Sequence, residues 1–200
     1  MNKNKFIRYL KTLPRNAKVL DAGCGTGNNS RYIHKIRPDL KIYGVDINSN
    51  LQKKVPKYMN FKPISVENLK CFKNGYFDCI LCFHLIEHLR DPTIAISEFN
   101  RVLKRKGVIF AESPSWISTI MPIGYNFYDD PTHIRPYTKK SFKILFSDFS
   151  IKYVANETAI FFYLAELYNL NFFSLGYLLR SFLHFLGVYK TAIFVIVTKK

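Results

Sequence analysis

Val19-Leu20-Asp21-Ala22-Gly23-Cys24-Gly25-Thr26-Gly27 decides the fold. An apolar run of strand character empties into a glycine-rich turn, and Asn28 to Ile36 follows as a helix. Glycine tolerates positive φ and lets a ligand approach the backbone closely. The helix start behind the turn offers free N–H groups, so a nucleotide-like ligand is welcome there. Spacing narrows the choice. A dinucleotide fingerprint reads G-x-G-x-x-G, whereas here the third glycine comes one residue early and Asn28 holds the expected place. Asp21, just before the first glycine, would repel a pyrophosphate and suits a cation such as an amino-acid ammonium group. Asp46 ends a second strand, where a carboxylate can accept both hydroxyls of a ribose. These residues favour an adenosine-containing ligand without a diphosphate.

Outward from this unit, strand and helix patterns alternate almost throughout, which predicts a mostly parallel sheet covered by helices. A short leading helix carries Phe6, Leu10 and Leu13, and strands follow over 17–22, 41–47, 61–66, 77–83 and 108–111. Asn48 caps a helix ending before Pro56, and Asp91-Pro92 opens another that runs to about Lys104 and is stopped by Gly107. Residues 114–137 read as a long loop, 141–146 as a helix, 149–154 as a sixth strand and 192–198 as a last one. Residues 158–190 read as an aromatic, helical insertion, with nine Phe/Tyr between 159 and 188. The whole of 1–200 is expected to be one domain, since cores usually split only beyond roughly 250 residues.

Asp21 to Gly27 resembles the glycine motif of class I S-adenosylmethionine-dependent methyltransferases. Tyr43-Gly44-Val45-Asp46 is similar to their acidic second motif, Phe77 to Cys82 to their fourth strand, and Arg101 to Gly107 to the passage before their fifth. The resemblance covers roughly 15–115, with motifs in the family's order. It implies a Rossmann-like, doubly wound, seven-stranded α/β sheet in three layers, mostly parallel with the last strand antiparallel. It also implies S-adenosylmethionine as cofactor and S-adenosylhomocysteine as product. By that likeness Asp21 and Gly23 face the methionine moiety, Gly25 and Gly27 shape the turn, and Cys24 between them also belongs to the cofactor site. Asp46 would then hold the ribose, Ile47 would pack on the adenine, and Glu67 and Phe83 would complete the pocket. The family's acidic adenine contact falls near Ser65 here, so Glu67 is a displaced stand-in.

Methyl transfer is an in-line displacement that depends on positioning, and a base is needed only where an acceptor proton must leave early. The acceptor belongs beyond the fourth strand, at Phe83-His84-Leu85-Ile86-Glu87-His88. His84 is the candidate base, and His133 and Arg135, in the late loop, are candidates to contact the acceptor or brace that loop. No metal is expected. The alternative is a ligand set of His84, Glu87, His88 and His133, which resembles the metal site of small-RNA 3′-terminal 2′-O-methyltransferases but has His where that family has Glu.

The composition is ordinary for a globular chain, and the net charge is +16 at pH 7. Residues 1–60 hold 13 Lys/Arg against 3 Asp/Glu, which favours an anionic partner or simply a solvated basic surface. Cys79 and Cys82 stand three apart on a strand, on opposite faces, so they can share neither a disulfide nor a metal. Residues 158–190 are too often interrupted by polar groups to span a bilayer and would form a lid, a membrane contact or a dimer interface. The expected function is methyl transfer to oxygen or carbon of a small, lipophilic or lipid-linked acceptor, in the cytoplasm or peripheral to an anionic membrane. RNA methylation and an inactive cofactor-binding regulator are the alternatives; the oligomeric state is left open.

Overall fold

The computed structural model describes residues 3–120, 126–157 and 192–200. The aromatic segment 158–190 therefore lies outside the described residues. Within them the order is α1 (Lys3–Thr12), β1 (Lys18–Ala22), α2 (Asn28–Ile36), β2 (Lys41–Val45), β3 (Asn60–Lys62), β4 (Phe77–Phe83), α3 (Pro92–Val102), β5 (Leu103–Pro114), α4 (Lys139–Leu145), β6 (Ser150–Glu157) and β7 (Ala192–Thr198). The seven strands form one sheet in the order β3-β2-β1-β4-β5-β7-β6. β7 runs antiparallel to both its neighbours, and the other strand pairs are parallel.

Alternation along the strands sends side chains into two cores. Ile80, Cys82 and Ile109 pack with Phe99, Phe142 and Phe146 on the face covered by α3 and α4. Cys79, Leu81 and Phe110 pack with Phe6, Leu10 and Ile33 on the face covered by α1 and α2. Cys79 and Cys82 thus lie in different cores, both buried as free thiols. Burial pushes both thiols up in pKa, so they stay protonated and unreactive.

Three elements differ from the sequence reading. The third strand shrinks to Asn60–Lys62, and the segment after Asn48 is a short 3-10 helix, Ser49–Lys53, with the Asn48 side chain accepting from Asn50 N–H. The fifth strand begins at Leu103, so the preceding helix ends at Val102, well before Gly107. Leu103 already pairs with Phe77 across the sheet, and that pairing overrides the helical preference of Lys104 to Lys106.

Arg37 locks the α1 face. Its guanidinium donates to Leu10 O at 2.7 Å, Leu13 O at 3.1 Å and Pro14 O at 3.2 Å, closing the C-terminal end of α1. The same fork grips both oxygens of Asp39 at 2.7 Å, and it holds that carboxyl well below the usual carboxylate range. Replacing Arg37 with Ala takes one donor from each of three carbonyls, of which Leu10 O and Pro14 O keep the N–H groups of Leu13 and Ala17, and it releases Asp39. Most of the cluster is wet, so the expected cost is ~1–2 kcal/mol, read as a fall of several degrees in Tm. Arg37→Lys should recover little, because an ammonium cannot reproduce the fork. Unchanged melting of Arg37→Ala would remove this role.

Candidate functional site

β1, β2 and β4 end side by side, so Asp21, Asp46 and His84 gather at one edge of the sheet. The glycine turn is tied to that edge. Gly23 and Cys24 N–H donate to Val45 O at 2.9 and 3.0 Å, and Gly25 N–H donates to Asp46 Oδ2 at 3.0 Å. Asp46 Oδ1 accepts from Asn48 N–H at 3.0 Å, which fixes the carboxylate from the other side. Gly23 has φ of 67°, a conformation that favours glycine, and a Cβ there would sit 2.8 Å from Leu85 Cδ1 and displace that side chain.

Asp21 lies beneath this turn and is 1% exposed. Its partner is neutral: Ser30 Oγ–H donates to Oδ2 at 2.6 Å. Burial pushes the Asp21 pKa up to about 6, against the lowering effect of Ser30, and nearby Asp46 raises it further. A buried carboxylate answered by a hydroxyl is a site that gains from a cation.

Beside the turn opens a cavity of about 320 Å³, lined by Gly23, Asp46, Ile47, Ser65, Glu67 and Leu85. Ile47 is 79% exposed, an apolar side chain with a face to offer a flat ring. Glu67 N–H donates to Ser65 Oγ at 3.1 Å, so both candidate adenine contacts share one small turn at the cavity wall. An adenosine with a cationic amino-acid tail fits this arrangement of a recessed anion, a carboxylate at strand height and a bare apolar side chain.

Two residues assigned to the pocket sit elsewhere. The Cys24 thiol packs in the α1/α2 core, where burial pushes its pKa up to about 12, leaving its backbone to face the turn. Phe83 packs edge-on against Phe6 at 5.9 Å in the same core. Strand alternation at the end of β4 directs it inward, away from the cavity.

The acceptor side also differs from the sequence reading. His84 takes φ of 51°, a left-handed conformation outside glycine's usual territory. Its Nε2 lies 3.2 Å from Glu112 Oε1 and its Nδ1 lies 3.5 Å from Glu87 Oε1. Burial alone would pull its pKa down, but the carboxylates of Glu112 and Glu87 outweigh it and push it up to about 10. The two carboxylates favour the protonated ring, the opposite of the free lone pair that the sequence reading expects of a base at His84. Glu112 was missed in the sequence, although a glutamate directly after the apolar run Ile109-Phe110-Ala111, on the same strand, was a signal of buried pairing. Arg135 donates to Arg90 O at 2.6 Å and lines the groove between α3 and α4, so it braces the loop.

Glu87, His88 and His133 do come together. One ligand atom from each lies within 4.8 Å of the others, and His84 is outside this set. Ile134 N–H donates to Glu87 O at 2.8 Å, which pins the late loop against the turn after β4. His88 also lines the cavity that holds Asp46 and Ile47.

The profile of a family described as a methyltransferase domain matches residues 2–155. The chain belongs to this methyltransferase-domain family. A ubiquinone biosynthesis O-methyltransferase of Xanthomonas oryzae is 27% identical over 135 residues, 57% of this chain and 56% of that protein. A thiol S-methyltransferase of Rattus norvegicus is 29% identical over 113 residues, 52% of this chain and 45% of that one. This methyltransferase domain therefore spans about half the length of the curated relatives it matches. Among solved structures, a SAM-dependent methyltransferase of Archaeoglobus fulgidus superposes with a TM-score of 0.65 at 24% identity, covering 98% of this chain and 90% of that one.

In this methyltransferase domain the raised Asp21 pKa has a signed consequence. Its folded value of about 6 lies above the ordinary 3.8, so its contribution favours folding below about pH 4 and is lost as pH rises through 6. Asp21→Asn keeps the acceptor for Ser30 and removes the buried charge. Without ligand it should be more stable than wild type at pH 7.5, by on the order of 2–3 kcal/mol, and equal to it near pH 4. Urea unfolding at the two pH values checks this; a variant less stable at pH 7.5 contradicts it.

Proposed function

We infer that this methyltransferase domain transfers a methyl group from S-adenosylmethionine to an oxygen of a small, lipophilic acceptor. The observation that carries the reading is one cavity lined by Gly23, Asp46 and exposed Ile47, with the buried carboxylate of Asp21 at the end of β1, two residues before Gly23. Asp21 would face the cationic methionine end, Asp46 the ribose and Ile47 the adenine, with Glu67 and Ser65 at the adenine rim. When bound, the cofactor supplies an electrophilic methyl on a sulfonium, which an acceptor displaces in line. The chain's own contribution is position and dryness: Leu85 closes over Gly23, and the clamp of Glu112 and Glu87 keeps His84 from competing for the methyl.

A lipophilic acceptor is supported by the exposed apolar side chains that follow β5, Trp116, Ile120 and Tyr128. The O-methyltransferase relative, named for ubiquinone biosynthesis, points the same way. No helix among the described residues is long and apolar enough to cross a membrane. Basic residues stand at both poles of the sheet. Lys18 and Lys41 start β1 and β2, Lys104 to Lys106 start β5, and Lys199 and Lys200 follow β7, opposite the cavity. Arg90 lines the cavity, and Lys53 and Lys54 follow β2 near it.

Thermal melting tests the cofactor. At a hundredfold excess over Kd, S-adenosylmethionine or S-adenosylhomocysteine should add about 2.7 kcal/mol, a rise of roughly 5–10 °C, while NAD adds none. Asp46→Ala should weaken the binding at least about tenfold by removing the ribose acceptors. Equal protection by NAD, or full affinity in Asp46→Ala, overturns the reading.

A further inference from the structure

We propose that Glu87, His88 and His133 form a binding site for a divalent transition-metal ion of the Co²⁺ or Zn²⁺ kind, next to the cofactor cavity. Glu87 is fully buried; its Oε1 meets His84 Nδ1 at 3.5 Å, and its Oε2 has no hydrogen-bond partner. His84 divides its charge between Glu87 and Glu112, so the buried carboxylate is only partly answered. Beside it stand two more imidazoles, those of His88 and His133.

The hydrogen bonds around those imidazoles fix which nitrogen holds the lone pair. His133 Nδ1 lies 2.7 Å from Phe127 O, and a carbonyl can only accept, so Nδ1 donates; in the neutral ring Nε2, 3.9 Å from Asp130 Oδ2, then carries the lone pair. The logic at His88 runs through one more residue. Thr132 Oγ–H donates to Asp130 Oδ1 at 2.6 Å, so Thr132 Oγ1 accepts from His88 Nδ1–H at 2.8 Å. The His88 lone pair is then also on Nε2. A relay from Asp130 through Thr132 to His88, and a carbonyl behind His133, are the kind of outer contacts that orient ligating imidazoles. His133 is stacked on Phe127 at 4.5 Å, which limits its rotation.

Two imidazoles and one carboxylate select a borderline transition ion over Mg²⁺ or Ca²⁺, which prefer oxygen. The ligand atoms lie within 4.8 Å of one another, and tetrahedral bonds of about 2.1 Å would place them roughly 3.4 Å apart. Closing that gap calls for a shift of the Glu87 and His88 side chains toward His133, whose ring the stacking on Phe127 holds in place. The three protein ligands leave coordination positions open. Because His88 also lines the cofactor cavity, an open position could hold an acceptor hydroxyl there and lower its pKa, its proton passing to water. That role rests on the proposed methyl transfer; the binding of the ion does not.

The test uses the full chain after removal of metals with a chelator. Co²⁺ is titrated by visible absorption and by calorimetry, with S-adenosylhomocysteine titrated separately into the same samples. The expected result is one ion per chain with a d–d spectrum of nitrogen and oxygen ligation. Glu87→Gln and His133→Asn should each weaken it by more than about 100-fold, since even outer contacts are worth 10–100-fold. Thr132→Val, exposed and outside the ligand set, should weaken it by about tenfold while the melting temperature holds, which covers the case where Glu87→Gln fails to fold. Co²⁺ binding that is unaffected by His133→Asn and Thr132→Val, no binding at all, or tighter binding of Mg²⁺ than of Co²⁺ each overturns the site. If the homocysteine product binds and the metal does not, this inference alone fails. If the metal binds and the product does not, the cofactor reading fails instead.

Discussion

A carboxylate buried at the end of β1, answered by a serine hydroxyl, is the constraint around which the rest of this protein is arranged. Burying Asp21 costs the fold stability at neutral pH, and its raised pKa of about 6 measures that cost. The surrounding structure holds it in place. Ser30 comes from the first turn of α2, the glycine turn passes overhead, and Val45 O receives two of that turn's N–H groups. Strain of this kind is retained where a ligand relieves it. A cationic sulfonium compound is such a ligand, and Asp46 and Ile47 complete the groups its sugar and base require.

Much of this was readable in the sequence because it depends on local rules. The glycine spacing, the carboxylate before it and Asp46 at the end of the second strand each follow from chain geometry over a few residues. The antiparallel last strand was implied by the family likeness, and the sheet has it, with β7 between β5 and β6. What failed was what tertiary contact decides. Gly107 looked like a helix stop, but pairing of Leu103 with Phe77 draws the chain into β5 four residues earlier. Cys24 and Phe83 are adjacent in sequence to site residues, yet the glycine turn carries the Cys24 side chain, and alternation that of Phe83, into the α1/α2 core.

The reacting end shows the same limit more sharply. In sequence, His84 looks like a base because a histidine follows the fourth strand. Its role is inverted by Glu112, which arrives from β5, twenty-eight positions along the chain. Two carboxylates convert a proton acceptor into a held cation. The adjacent Glu87, His88 and His133 are brought together by Ile134 N–H on Glu87 O, a contact between elements far apart in the chain. Position on a strand can be read from one sequence; the charge state of a side chain depends on neighbours that only folding supplies.

The central claim is that the C-terminal edge of β1 and β2 receives an adenosyl sulfonium compound through two carboxylates. A crystal structure of the full chain with S-adenosylhomocysteine tests it most directly. The account predicts the ribose hydroxyls on Asp46, the adenine against Ile47 and the amino-acid end over Gly23 and Asp21. The product bound elsewhere, or bound with its ribose away from Asp46, would contradict it.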